Sequence, residues 1–217
     1  MMKSKKIDGG VYLVIDPGMQ ADELLFKLEQ ALKAGLAAVQ IWNNWALDTD
    51  KLQLVAGVGR LCEVHRTPLI IDNDWELMLR CPELDGVHFD NIPPDYAEIR
   101  KKISKPFLAG ITCSGNLDVV QWAHDQQLDY ISFCAMFPSA SAGSCTIVMP
   151  ETVTKARKLT GMPIFVSGGI TPDNIYSLRQ RAPFNGVAVI SGIMSAVEPQ
   201  TKVKLYQKAL DETTNHC

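Results

Sequence analysis

Residues 163–175 read Pro-Ile-Phe-Val-Ser-Gly-Gly-Ile-Thr-Pro-Asp-Asn-Ile, and residues 186–194 read Gly-Val-Ala-Val-Ile-Ser-Gly-Ile-Met. These two stretches decide the fold. Each holds a short apolar, β-branched run, 163–167 and 186–191, that ends in a Gly-containing turn and opens toward a helix. Glycine lets backbone approach a ligand closely, and a helix start offers unpaired N–H groups at the positive end of its dipole. Two such turns after the last two strands of a (β/α)₈ barrel make that fold's usual phosphate site. Gly168, Gly169, Ile190 and Ser191 are therefore the expected phosphate-binding positions.

The same alternation runs back to the start of the chain. Strands are expected at 11–16, 37–42, 68–72, 86–90, 107–112 and 130–136, before the two already quoted. Helical patterns fall between and after them at 21–34, 50–65, 75–80, 95–102, 116–126, 150–160, 172–181 and 198–212. In the first, Leu24, Leu25, Leu28, Ala31 and Leu32 share one face, and Gly35 follows as a C-terminal cap. Continuous apolar strands joined by helical crossovers imply a parallel sheet buried on both faces. Eight units without a linker favour one α/β domain spanning 1–217, a (β/α)₈ TIM barrel, with residues 1–10 as a flexible extension. An open doubly wound sheet is the alternative, but the turn after the first strand, Asp16-Pro17-Gly18-Met19, lacks a dinucleotide fingerprint.

Composition narrows the function. The 217 residues carry a formal net charge of −3, and the basic residues Lys3, Lys5 and Lys6 cluster only at the terminus. That balance argues against a nucleic-acid surface. No apolar run approaches the roughly 20 residues that span a bilayer, and the N-terminus has no signal-peptide pattern. A cytoplasmic location is expected. The six cysteines form no C-x-x-C pair and read as reduced thiols.

In a barrel the chemistry gathers at the C-terminal ends of strands. Those ends carry Asp16, Asp72, Asn73, Asp74, Asp90 and Asn91 on one side and hydroxyls and glycines on the other, with no Lys or Arg. Carboxylates and amides are hard oxygen donors suited to Mg²⁺, so Asp72, Asn73 and Asp90 form a candidate metal set. Asp or Asn before a helix equally serves as an N-cap. Trp42, Trp45 and Trp75 lie near the same mouth, either to stack on a flat ring or to fill space and subunit contacts. They and the apolar 194–197 segment are compatible with a homodimer. His88, in mid-strand, is either a proton-transfer residue or a hydrogen-bonded core histidine.

The chain resembles the thiamine-phosphate synthase and TenI family over nearly its whole length. The likeness is carried by Tyr12-Leu13-Val14, Ala38-Val39-Gln40, Gly86-Val87-His88 and Asp129-Tyr130-Ile131. It continues in Phe137-Pro138-Ser139, Val166-Ser167-Gly168-Gly169-Ile170-Thr171-Pro172 and Gly186-Val187-Ala188-Val189-Ile190-Ser191. The resemblance implies a barrel enzyme in which a hydroxyethylthiazole phosphate attacks the methylene of an aminopyrimidine pyrophosphate. The products are thiamine phosphate and pyrophosphate, with Mg²⁺ assisting. Gln40, His88, Ser139 and Ser141 are taken as candidate catalytic residues, and Trp42, Asn44 and Thr112 as candidate substrate contacts beside the glycine turns.

Several positions depart from the family pattern. Trp42 and Asn44 stand where the family has Arg and Lys, and Asp72-Asn73 inverts its Asn-Asp. The family's second aspartate aligns with Pro93, and its Thr-x-Thr-Lys reads Ser139-Ala140-Ser141-Ala142. The alternatives to the synthase are a TenI-like thiazole-phosphate tautomerase and a non-catalytic module for a phosphorylated thiazole. The tautomerase's expected histidine aligns with Ala135, leaving His88 or Cys134 in its place.

Overall fold

In the computed structural model, which describes residues 5–138 and 146–212, eight parallel strands close into one barrel in sequence order. The strands are β1 (Gly10–Ile15), β2 (Ala38–Ile41), β3 (Leu69–Asp72), β4 (Gly86–Phe89), β5 (Leu108–Thr112), β6 (Tyr130–Phe133), β7 (Ile164–Ser167) and β8 (Gly186–Val189). Leu13 of β1 sits beside both Val39 and Val189, so the sheet has no open edge. The outer layer comprises α1 (Ala21–Leu32), α2 (Lys51–Val64), α3 (Tyr96–Ile103), α4 (Leu117–Asp125), α5 (Pro150–Leu159), α6 (Pro172–Arg179), α7 (Ser191–Met194) and α8 (Pro199–Glu212). A 3-10 helix (Trp75–Leu79) takes the place of an α-helix between β3 and β4.

Strand alternation divides the apolar residues between two cores. Val11, Leu13, Ile15, Val39 and Ile41 face outward and pack with Leu24, Leu28 and Val55 of the surrounding helices. Tyr12, Val14, Ala38, Ile70, Tyr130 and Phe165 face inward and fill the barrel. The three inward rings touch: Tyr12, Tyr130 and Phe165 have centroids 5.5–5.7 Å apart in tilted or edge-on pairs. Gly110 of β5 makes this possible, because a Cβ there would fall inside the Tyr130 ring.

The lower rim is tied by one repeated device. The residue just before β4, β6 and β8 accepts an N–H from the start of the strand before it. Asp85 Oδ2 takes Leu69 N at 2.8 Å, Asp129 Oδ2 takes Ala109 N at 2.7 Å, and Asn185 Oδ1 takes Ile164 N at 2.9 Å. Lys5 reaches Asp85 at 3.0 Å and Glu63 at 3.2 Å, and Ile7 is buried in the inner core. Lys5 and Ile7 thus anchor this segment to the barrel, Gly10 opens β1, and Lys6 and Asp8 stay exposed.

Three elements differ from the sequence expectation. The crossover at 75–80 is a 3-10 helix, whose longer rise per residue suits the short link between β3 and β4. The run 130–136 leaves the ladder after Phe133 but stays beside β7, with Met136 N on Ser167 O and Phe137 N on Gly168 O. Residues 191–194 form an extra helical turn, and within it Met194 is buried while the neighbouring Val197 is exposed. Trp45 and Trp75 pack at the outside, under Lys51 and Lys102, and neither lines the main cavity.

Candidate active site

A cavity of about 850 Å³ opens at the C-terminal mouth of the barrel. Its size is in the range of small-molecule sites. One wall is formed by the turns after β7 and β8. Gly168 and Gly169 adopt φ of 81° and 65°, the left-handed region that side chains disfavour. A Cβ on Gly169 would also lie 2.7 Å from Phe137 Cβ and 2.8 Å from Pro138 O. Thr171 and Asn174 close a capping box behind this turn, and Asn174 Nδ2 donates to Gly169 O at 2.8 Å. The amides of Gly169, Ser191 and Gly192 carry no hydrogen bond to another described residue, and all three residues line the cavity. Unpaired donors at two adjoining turns suit an anion.

The floor is a chain of hydrogen bonds whose direction follows from counting protons. The Tyr12 hydroxyl donates to Gln40 Oε1 at 2.8 Å, so the Tyr130 hydroxyl, 2.8 Å away, must donate to Tyr12. His88 Nδ1, 3.1 Å from Tyr130 Oη, then carries the ring proton and donates to it. His88 Nε2 is left to accept from Thr112 Oγ1 at 2.9 Å, and Ser132 donates to Thr112 at 3.0 Å. This requires a neutral imidazole. Burial supplies it by pushing the His88 pKa down to about 4. His88 is thus a hydrogen-bonded core histidine with both nitrogens spent. Gln40, its oxygen occupied, keeps its NH₂ group for a ligand.

The opposite wall is acidic. Asp72 is 1% exposed, and its Oδ2 accepts from Asn43 N at 3.2 Å. Burial first, and the charge of Asp90 second, push its pKa up to about 7. Asn73, held at φ 55°, bridges the pair. Its Nδ2 lies 2.6 Å from Asp90 Oδ2 and 3.4 Å from Asp72 Oδ1, while its Oδ1 accepts from Asp90 N at 3.0 Å. Asp72 and Asp90 line the cavity and Asn73 does not. Asn73 therefore positions the carboxylates, and its own oxygen is taken. Two carboxylates, the charge of one acting on the buried other, that share one amide donor are a set short of positive charge. They fit Mg²⁺, which takes one or two carboxylates and fills its shell with water and substrate phosphate oxygens.

The other acidic strand ends do not join them. Asp16 holds Asn44 Nδ2 at 3.0 and 3.2 Å and Gly18 N at 2.9 Å, and Asp74 pairs with Lys51 at 3.1 Å. Asn44 accordingly stands outside the cavity lining, whereas Trp42, Gln40, His88, Thr112, Asp72 and Asp90 are in it with the two glycine turns. Ser139 and Ser141 lie outside the described residues. Sequence reasoning missed Tyr12, Tyr130, Ser132, Tyr206 and Lys202, all of which line the cavity. Tyr12 and Tyr130 were legible as inward-facing strand positions two residues before Val14 and Ser132. Lys202 and Tyr206 come from an outer helix, where strand-end reasoning does not look.

Comparison with known proteins converges on one family. The family described as "Thiamine monophosphate synthase" matches residues 11–193. The thiamine-phosphate synthase of Marinobacter nauticus is 31% identical over 189 residues, covering 87% of this chain and 84% of that protein. The thiamine-phosphate synthase of Azoarcus sp. is 30% identical over 197 residues, covering 91% and 95%. Among solved structures, a thiamine phosphate pyrophosphorylase from Pyrococcus furiosus superposes with a TM-score of 0.80 at 19% identity, covering 95% and 98%. A geranylgeranylglyceryl phosphate synthase from Thermoplasma acidophilum superposes at 0.68 and 14% identity, a likeness of fold alone. A match running from β1 into α7, with two relatives at 30% identity or more over most of their length, makes this chain a member of the thiamine monophosphate synthase family.

Proposed function

We propose that this protein is a thiamine-phosphate synthase, joining hydroxyethylthiazole phosphate to aminopyrimidine-methyl pyrophosphate with release of pyrophosphate. One observation carries the reading: the two glycine turns and the Asp72–Asp90 pair open onto the same cavity from opposite walls. The arrangement accommodates a monophosphate at one end and a metal-bound pyrophosphate at the other, with the reacting carbon and nitrogen between them. The amides of Gly169, Ser191 and Gly192 hold the thiazole phosphate. Gln40 Nε2 donates to an anionic oxygen of the second substrate, and Trp42 offers a face for the flat pyrimidine ring. Mg²⁺ bound by Asp72 and Asp90 would neutralise charge developing on the departing pyrophosphate. His88 orients Thr112 and Tyr130 and takes no part in proton transfer.

This last point weighs against a tautomerase, since Ala135 occupies the position of that enzyme's histidine and is fully buried. By the family resemblance, Ser139 and Ser141 are proposed to supply hydroxyl donors to the substrates. A cytoplasmic location and small-molecule substrates accompany the reading. No helix among the described residues is long and apolar enough to cross a membrane.

The test is an assay of the purified protein with both substrates across a Mg²⁺ series, scoring thiamine phosphate against a protein-free control. Mg²⁺-dependent product is expected. Absence of product at every Mg²⁺ concentration refutes the proposal.

A further inference from the structure

We infer that Lys202, on the last helix, is the cation that neutralises the ligand's phosphate group, an assignment that rests on the synthase reading above. α8 lies outside the barrel against α1 and α6, yet two of its residues one turn apart, Lys202 and Tyr206, line the cavity. Tyr206 fixes how the helix meets the phosphate turns. It is buried, and its hydroxyl donates to Ile170 O, just after the first turn, at 2.9 Å. A Cβ on Gly192, in the second turn, would collide with the same hydroxyl. Residues four apart share one helix face, so the contact that seats Tyr206 also aims Lys202 at the cavity mouth.

The charge inventory points the same way. Among the described residues lining the cavity, Lys202 is the one cation, while Asp72 and Asp90 carry the acidic charge on the opposite wall. Lys5, Lys27, Lys33, Lys51, Lys101 and Lys208 each pair with a carboxylate. Lys202 pairs with none among the described residues, and it is half-buried. A phosphate monoester carries between one and two negative charges at neutral pH. Backbone amides answer that with partial charges only. A lysine ammonium is a mobile point charge well suited to phosphate, and charge-assisted bonds are about twice as strong as neutral ones. Lys202 thereby sets the preference for a phosphorylated thiazole over its free alcohol.

The experiment compares the intact protein with Lys202→Ala, Lys202→Arg and, as a surface-charge control, Lys204→Ala on the exposed side of α8. Calorimetry measures binding of hydroxyethylthiazole phosphate and of the unphosphorylated alcohol, and steady-state assays measure KM for each substrate. Loss of a charge-assisted bond should weaken phosphate-ester binding about 10- to 100-fold in Lys202→Ala. Lys202→Arg should largely restore it, and Lys204→Ala should leave it unchanged. The alcohol's affinity, the KM for the pyrimidine pyrophosphate and kcat at saturation should stay within about twofold. Wild-type affinity in Lys202→Ala overturns the assignment, as does a parallel loss for the alcohol or an equal loss in Lys204→Ala. A wild-type protein that binds the phosphate ester without making product overturns the synthase reading, and the calorimetric comparison still decides Lys202. A wild-type protein that does not bind the ester overturns both.

Discussion

Replacing Asp72 with Asn should stabilise the metal-free protein at alkaline pH and cripple its reaction. Asp72 is buried beside Asp90, and the two effects lift its pKa from the ordinary carboxylate value to about 7. A carboxyl whose folded pKa exceeds its unfolded one favours folding at low pH. That advantage is lost as pH rises from about 4 to about 7. At about 1.4 kcal/mol per pH unit, the loss between pH 5 and pH 7 is roughly 3 kcal/mol. Asn removes this term and keeps an oxygen for Asn43 N, at a cost of about 1 kcal/mol because a neutral acceptor is weaker than a charged one. At pH 8 the full lift of about three pH units applies, roughly 4 kcal/mol, so the net gain there is roughly 3 kcal/mol. Urea denaturation of both proteins in chelator at pH 5 and pH 8 measures the difference directly and cancels every titration they share. The stability difference should move in favour of Asp72→Asn by about 3 kcal/mol across that range. The same variant should lose Mg²⁺-dependent turnover by a hundredfold or more, at the low end of the ~3 kcal/mol typical for a group that stabilises developing charge. A variant less stable than wild type at pH 8 in chelator would refute the reasoning, because the ionised carboxylate would then be favourably held by the fold.

Other perturbations probe the remaining walls. Gly169→Ala forces a side chain into φ 65° and against Phe137 and Pro138. It should cost about 1–3 kcal/mol and raise the KM for the thiazole phosphate, read from thermal melts and kinetics. Tyr206→Phe strands Ile170 O and should destabilise by about 1–3 kcal/mol while weakening phosphate-ester binding; unchanged binding would separate packing from site geometry. Because the His88 pKa is lowered to about 4 by burial, its neutral form stabilises the fold above pH 6.5, and that contribution is lost as pH falls toward 4. Acid titration of wild type against His88→Gln should therefore narrow their stability gap by roughly 3 kcal/mol between pH 7 and pH 4. Asn73→Ala should raise the Mg²⁺ requirement, measured as the half-saturating concentration, since Asn73 bridges Asp72 and Asp90.

Taken alone, the sequence determined the eight βα units, the closure they imply and the two glycine turns. Each of these depends on local pattern: β-branched runs, apolar helix faces and Gly168-Gly169 and Ser191-Gly192 at strand ends. It also showed which family positions had changed, such as Trp42 for Arg. Gln40 stood out through the family resemblance, Thr112 as a strand end and His88 as a mid-strand histidine whose facing the sequence left open. What each of these touches was visible only in three dimensions. His88 reads as an acid or base until Tyr130 and Thr112, 42 and 24 residues away, are seen to occupy both nitrogens. The four strand-end aspartates look equivalent in sequence. Asn44 and Lys51, from the loop and helix after β2, remove Asp16 and Asp74 from contention, and Asn73 joins Asp72 to Asp90. Lys202 was invisible for a related reason. Its place at the cavity depends on how α8 docks through Tyr206, and docking joins side chains distant in sequence whose contact no local period encodes.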